Sequence, residues 1–316
     1  MKTSKLIPGI LAVLISTSVI LQAGNICLTF ERLPFMEPLV YWTPRELSNI
    51  VLSELENRNI RSIGFVQEEK LVDTPSSGVV LLDWAGKGHL LGNNTFSYVD
   101  FNELSVKEFL EHVADGQKSI LRASRASANN FRYIRFPSMH YGNTEGKRSR
   151  ISSVLYKNGY VVFPATVIPH DWEFNWVYRD YADNEKAIGL LRAMYKEYIF
   201  NCLEYAEKRA LQVFNKEITQ VIRLHLGIAT AQFLPDLLDE LESRGYNFVS
   251  PEEALEDPVF GTEENYAGPL GLSFVDRVAA DRGLQFDPDF WKTDRKDIRE
   301  AIGRGLEESE PPAMEN

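Results

Sequence analysis

The chain is predicted to fold as an α/β protein on a parallel sheet, and three features carry that prediction. Short apolar runs alternate with helical stretches of ten residues or more, the pattern of successive β-α units. Several of the runs are apolar almost throughout, as strands covered on both faces should be. The length of 316 residues, 44% of them hydrophobic, suits one large domain or two small ones. Alternation alone leaves a barrel and a doubly wound sheet both open. No internal repeat is visible.

In chain order, residues 25–30 read as the first strand. Thr43 followed by Pro44 is a helix start: a capping side chain, then a proline where its missing N–H is not needed. That helix is expected to reach about Asn57. Residues 61–66 read as a strand, 70–77 as a polar, turn-rich segment and 79–85 as a helix, after which 86–93 lead into a motif described below. Ser105 and Glu108 have the spacing of a capping box and open the next helix. A short strand over 132–136 stops at Pro137. A helix over 147–158 ends at Gly159, before a β-rich run over 160–167. The longest helix spans about 184–214. It is followed by a strand over 218–224, a helix over 232–244, a strand over 246–249 and a short helix from Pro251. From Asp287 onward the chain is charged, and Glu307, Glu308, Glu310, Pro311, Pro312 and Glu315 predict a disordered end.

Lys2 and Lys5 precede residues 6–23, a run without charge that ends on a small residue. This reads as a signal peptide cut after Ala23, with an uncleaved anchor helix as the alternative. A secreted or periplasmic protein is expected, with no membrane attachment after cleavage. The organisation is then a leader over 1–23, a folded domain over 24–283 and a charged tail over 284–316. A net charge of −11 argues against a nucleic-acid partner. Cys27 and Cys202 are read as buried free thiols, with one disulfide as the alternative. No C-x-x-C pattern suggests a thiolate metal site.

Residues 28–34 (Leu-Thr-Phe-Glu-Arg-Leu-Pro) and 92–98 (Gly-Asn-Asn-Thr-Phe-Ser-Tyr) resemble the first two motifs of the NodB-homology polysaccharide deacetylases. Those motifs usually read T-F-D-D and H-T-x-S-H. Their second Asp and both His hold a divalent metal such as zinc. The matching positions here are Arg32, Asn94 and Tyr98. Arg135-Phe136-Pro137, Asp171-Trp172 and Leu224-His225 resemble the third, fourth and fifth motifs, and residues 244–255 resemble the C-terminal portion. The resemblance covers residues 25–283 and implies an irregular β/α barrel, with its site at the carboxyl ends of the strands. It implies Glu31 as the general base, Arg135 as the group that orients it, Asp171 as a wall of the groove and His225 as the general acid. The implied reaction removes acetyl groups from a sugar polymer, with a cell-wall or extracellular polysaccharide as partner.

The replaced positions have the wrong chemistry for that metal. A guanidinium stays charged and has no lone pair to offer, an amide oxygen is a weak ligand, and a phenol stays protonated near neutral pH. In a helical turn, positions 94 and 98 would share a face. No cofactor is therefore expected. Bulk water has a pKa of about 15.7 against about 7 on zinc, so a carboxylate alone replaces the metal poorly. His89, His140 and His170, with Asp83, Asp100 and Asp171, show no recognised ligand spacing, and His112 falls on a helix face. Trp172 and Tyr141 are the aromatic residues expected to line a cleft.

Three readings stand. The first is a deacetylase-like protein, metal-free and catalytically impaired, that keeps a carbohydrate-binding cleft. The second is a hydrolase acting on acetamido C–N bonds through a rearranged site of Glu31, His225 and His140. The third is a structural or interaction barrel, in which Glu31 merely pairs with Arg135 or Arg32 and His225 is merely hydrogen-bonded. Retention of Glu31, Arg135, Asp171 and His225 favours the first over the third, since a bare scaffold has no evident need of charged strand-end groups.

Overall fold

Period-two alternation along seven strands divides the described residues into an outer and an inner core. The computed structural model describes residues 24–124 and 132–308; the expected leader and residues 309–316 lie outside these. The strands are β1 (Asn25–Leu33), β2 (Ile63–Val66), β3 (Leu90–Asn93), β4 (Arg132–Ile134), β5 (Tyr160–Val162), β6 (Gln220–His225) and β7 (Asn247–Phe248). All ladders are parallel. The order is β5-β4-β3-β2-β1-β6, with β7 beside the start of β1.

Successive side chains of a strand point to opposite faces. Ile26, Leu28 and Phe30 of β1 therefore enter the large core shared with the helices. Cys27, from the other face, joins Ile63, Phe65, Tyr133, Phe163 and Val221 in a second core inside the sheet. Gly92 makes room there, because a Cβ at that position would fall 2.5 Å from the ring of Phe65. Among the described residues the ladders do not close into a ring. The chain after β5 reaches β6 through a single bridge, Val167 to Ile222. The expected α/β architecture is the one observed, as a mostly parallel sheet with this open seam.

The helices are α1 (Pro44–Asn57), α2 (Glu68–Asp73), α3 (Gly78–Gly86), α4 (Val106–Asp115), α5 (Lys118–Ala123), α6 (Glu145–Lys157), α7 (Trp172–Asp180), α8 (Glu185–Phe214), α9 (Ile228–Ser243), α10 (Pro251–Leu255), α11 (Phe274–Asp281) and α12 (Arg295–Glu308). Capping boxes open α1 at Thr43, α4 at Ser105 and α10 at Ser250, where each N3 glutamate returns a bond to the cap N–H. No helix among the described residues is long and apolar enough to cross a membrane.

Three segments differ from the sequence expectation. The polar stretch over 70–77 is largely helical. Glu68 anchors it by accepting from the backbone N–H and hydroxyl of Ser119, at 3.1 and 2.7 Å. The β-rich run after Tyr160 pairs with β4 only as far as Val162; the Pro164 carbonyl beyond it is taken by a side chain, Arg135, and pairing resumes only at the bridge from Val167. The expected tail is folded as far as residue 308. Trp291 is buried and donates its indole N–H to Asp276 at 3.2 Å. Ile298 and Ile302 of α12 enter the main core, while Arg295 and Arg299 pair with Glu173 and Asp180 of α7. Cys27 and Cys202 are both buried and free.

Candidate functional site

The parallel register of β1 and β6 sets Glu31 beside His225 and Thr29 beside Arg223. Alternation then turns all four toward the inner face. Arg135, just beyond β4, completes this floor. It is fully buried, lies over the ring of Phe65 at 4.3 Å, and donates to Thr29 Oγ1 and to the Pro164 carbonyl, each at 2.7 Å. Its Nε stands 3.7 Å from Glu31 Oε1. Burial pulls the Arg135 guanidinium down to about 10, against the pull of the Glu31 carboxylate. Arg135 thus lies beside Glu31 without a hydrogen bond between these two atoms, and its bonds to Thr29 and Pro164 tie β1 to the chain beyond β4 and β5.

His225 is fixed by Asp171. One carboxylate oxygen lies 2.6 Å from His225 Nδ1, and the other accepts the His225 backbone N–H at 2.7 Å and the Thr230 hydroxyl at 3.2 Å. A carboxylate at Nδ1 sets the ring orientation and holds the proton on that nitrogen. Nε2 then faces Glu31 Oε2 at 3.6 Å. The result is a buried acid-base constellation with a carboxylate, an imidazole and an orienting carboxylate. Asp171 was expected to wall the groove. Instead it is fully buried beneath it and acts through His225.

Above this floor opens a cleft of about 410 Å³, lined among others by Arg32, Tyr98, His140, His170, Trp172, Arg223, His225 and Trp291. Trp172 lies 5.0 Å edge-on to His225 and 4.1 Å from the ring of His170, so its expected place in the cleft holds. Tyr141 does not line it. Its ring is buried between Phe136 and the guanidinium of Arg277, at 4.8 and 4.0 Å, and it belongs to the core.

The corner that matches the resembled metal position is built differently. Arg32 adopts φ 64° and lays its guanidinium 4.6 Å over the ring of Tyr98. The Tyr98 hydroxyl donates to Glu31 Oε2 at 3.4 Å and accepts the Ser138 N–H at 3.1 Å. Burial first, then the Glu31 charge, pushes this phenol up to about 12, so it stays protonated. Asn94 is buried and donates its amide to the Arg135 carbonyl at 3.1 Å. The expected helical turn over 94–98 does not form, because Thr95 takes φ 68° and gives its N–H to Asn93 Oδ1 at 2.7 Å. Asn94 and Tyr98 therefore make no two-residue clamp.

A guanidinium, an amide turned toward a carbonyl and a protonated phenol do not fit a divalent cation. Among the described residues, no group of three or more His, Cys, Asp or Glu could hold a metal ion. His89 sits at the other end of the sheet, accepting from the Ser62 N–H at 3.2 Å beside Trp84. Asp83 pairs with Arg45, Asp100 with His140 at 2.8 Å, and His112 contacts Ser97. Burial, then the charge of Arg223, lowers His170 to about 4 and keeps it neutral.

Sequence reasoning missed Arg223. Its signal was available: a lone arginine two residues before His225, on the same face of an otherwise apolar strand. Burial acts to lower its pKa, but Glu31, Tyr98 and Asp171 outweigh that and raise it. Trp291 and Lys292, which also line the cleft, lay in the stretch read as tail.

No known family profile matches the chain, and no curated protein matches it. Solved structures do. A wild-type CE4 family pseudoenzyme from Bacillus anthracis is 15% identical with a TM-score of 0.46, over 73% of this chain and 65% of that one. The Xyl-CE4 domain of a multidomain xylanase, from the hindgut metagenome of Trinervitermes trinervoides, is 17% identical with a TM-score of 0.46, over 81% and 99%. The peptidoglycan deacetylase PdaC from Bacillus subtilis is 21% identical with a TM-score of 0.46, over 73% and 90%. The solved structures to which this chain is similar thus include a CE4 family pseudoenzyme, a Xyl-CE4 domain and a peptidoglycan deacetylase.

Proposed function

We propose that this deacetylase-like protein binds a polysaccharide in the cleft above Glu31 and His225 and does not remove acetyl groups by metal-assisted hydrolysis. The observation that carries the reading is Arg32. A fixed positive charge lies over Tyr98 at the corner where the resembled motif places a cation ligand. With no fitting ligand set there is no group to polarise the acetyl carbonyl or to acidify water. Trp172 on the cleft wall supplies an aromatic surface suited to a sugar ring. The reading includes export, on the leader-like residues 1–23, with a cell-wall or extracellular polysaccharide as ligand. N-terminal sequencing of protein recovered from the native host checks the export.

Calorimetric titration with acetylated and deacetylated chito-oligosaccharides, run alongside an acetate-release assay, tests the central reading. Binding without acetate release is the expected outcome. The rearranged-hydrolase reading has one observation in its favour, the Asp171–His225–Glu31 constellation. Acetate release that is lost in His225→Gln would establish it and displace the binding reading.

A further inference from the structure

We infer that the cleft takes an acidic sugar, its oxyanion held between Arg32 and Arg223. This rests on the reading of the cleft as a glycan site and adds the chemical class of the glycan.

The two arginines are the groups in the cleft that the fold leaves incomplete. Arg223 is only 3% exposed, yet its Nε has no hydrogen-bond acceptor among the described residues. Its terminal nitrogen makes a long contact of 3.4 Å to the Pro169 carbonyl. Arg32 likewise has a buried Nε without an acceptor. Both line the same cleft, Arg32 with its guanidinium 4.6 Å over the ring of Tyr98. Of the carboxylates close by, Asp171 holds His225, Asp289 pairs with Lys292, and Glu31 faces Arg135 and His225 at 3.7 and 3.6 Å.

A guanidinium cannot shed its proton, and a buried donor left without an acceptor is unfavourable. An oxyanion completes both arginines at once, and the fork of guanidinium donors matches a carboxylate. Lys292 at the rim is paired with Asp289, so the two arginines carry the positive charge of the cleft, in a chain whose net charge is −11. A bare ion would leave the apolar wall unused, since Trp172, Trp291, Met36 and Ile168 also face the space. A sugar ring with an acidic substituent uses both halves.

The test is titration calorimetry on the full chain with three probes: a hexuronate tetramer, a sulfated oligosaccharide and neutral N-acetylglucosamine tetramer. Arg32→Asn suits its positive φ, because asparagine tolerates that region. Arg223→Lys keeps the buried charge and removes the fork, and thermal melts confirm that both variants fold. The acidic probe is expected to bind at least about ten-fold tighter than the neutral one, and each variant should lose about ten-fold or more of that affinity. Preference for the uronate or for the sulfate identifies the oxyanion and supports the inference either way. Equal affinity for acidic and neutral probes, or no effect of either substitution, overturns it while leaving the glycan cleft standing. Binding of none of the three overturns both.

Discussion

The floor of the cleft and its replaced corner lie within one residue of each other along β1, yet they follow opposite rules. On the floor, Glu31, Arg135, Asp171 and His225 are almost wholly buried; Arg135, Asp171 and His225 are hydrogen-bonded to the frame or to each other, and Glu31 lies in ion-pair range of Arg135 and His225. In the corner, Arg32, Asn94 and Tyr98 are held by one cation–π contact, one amide bond and two hydroxyl contacts. The difference teaches why one half resembles the family and the other does not. Arg135 bonds to Thr29 and to the Pro164 carbonyl, so its loss would disturb the sheet itself. Charged strand-end groups therefore do have a structural reason to persist, and their retention is weaker support for a retained cleft over a bare scaffold than the sequence alone suggested. Changes in the corner leave the frame intact.

That contrast is broken most forcefully at Arg135. Arg135→Met leaves Glu31 as a buried charge without its partner and should destabilise the protein by about 3–5 kcal/mol in chemical denaturation. A loss below about 1 kcal/mol would mean that the floor is not structural.

Acid stability provides a control outside both regions. Burial, with Arg61 and Lys87 close by, lowers His89 from 6.5 to about 4. The unfolded chain takes up this proton first, so stability should fall as the pH drops below about 6.5 and level off below about 4, by up to about 3 kcal/mol. His89→Asn, which keeps an acceptor for the Ser62 N–H, should flatten that slope. An unchanged slope would assign acid instability to the floor instead.

Asp171→Ala removes the acceptor of the His225 N–H and of its ring, and should cost about 2 kcal/mol. The pH dependence of any residual activity should shift with it. Tyr98→Phe, which removes two hydroxyl contacts, should cost about 1–2 kcal/mol, and Asn94→Ala, which removes one ordinary hydrogen bond, about 1 kcal/mol or less. Corner substitutions as damaging as Arg135→Met would erase the distinction.

Much of the fold was legible because its signals are local. Thr43-Pro44 and the Ser105–Glu108 box mark helix starts by direct chemistry, and both helices begin there. Glu31 and His225, read from the motifs, are neighbours in the parallel register of β1 and β6, and Arg135 and Asp171, also read from motifs, lie beside them. What escaped depends on distant partners. The helix at Glu68 needs Ser119, and the segment at Trp291 needs Asp276 and Tyr198. Tyr141 looked like a cleft aromatic, because nothing local announces that Arg277 will cover its ring. The turn over 94–98 failed as a helix because Asn93 takes the Thr95 N–H, a competition that helical spacing cannot reveal.

Metal content tests the central claim most directly. The protein is purified without chelator, equilibrated with zinc, cobalt and nickel in turn, desalted and subjected to elemental analysis. Arg32 over Tyr98, with Asn94 turned to the Arg135 carbonyl, predicts no stoichiometric metal in any of the three. About one equivalent per chain, lost when His225 or His140 is replaced, would contradict it and make a metal hydrolase with other ligands the leading reading.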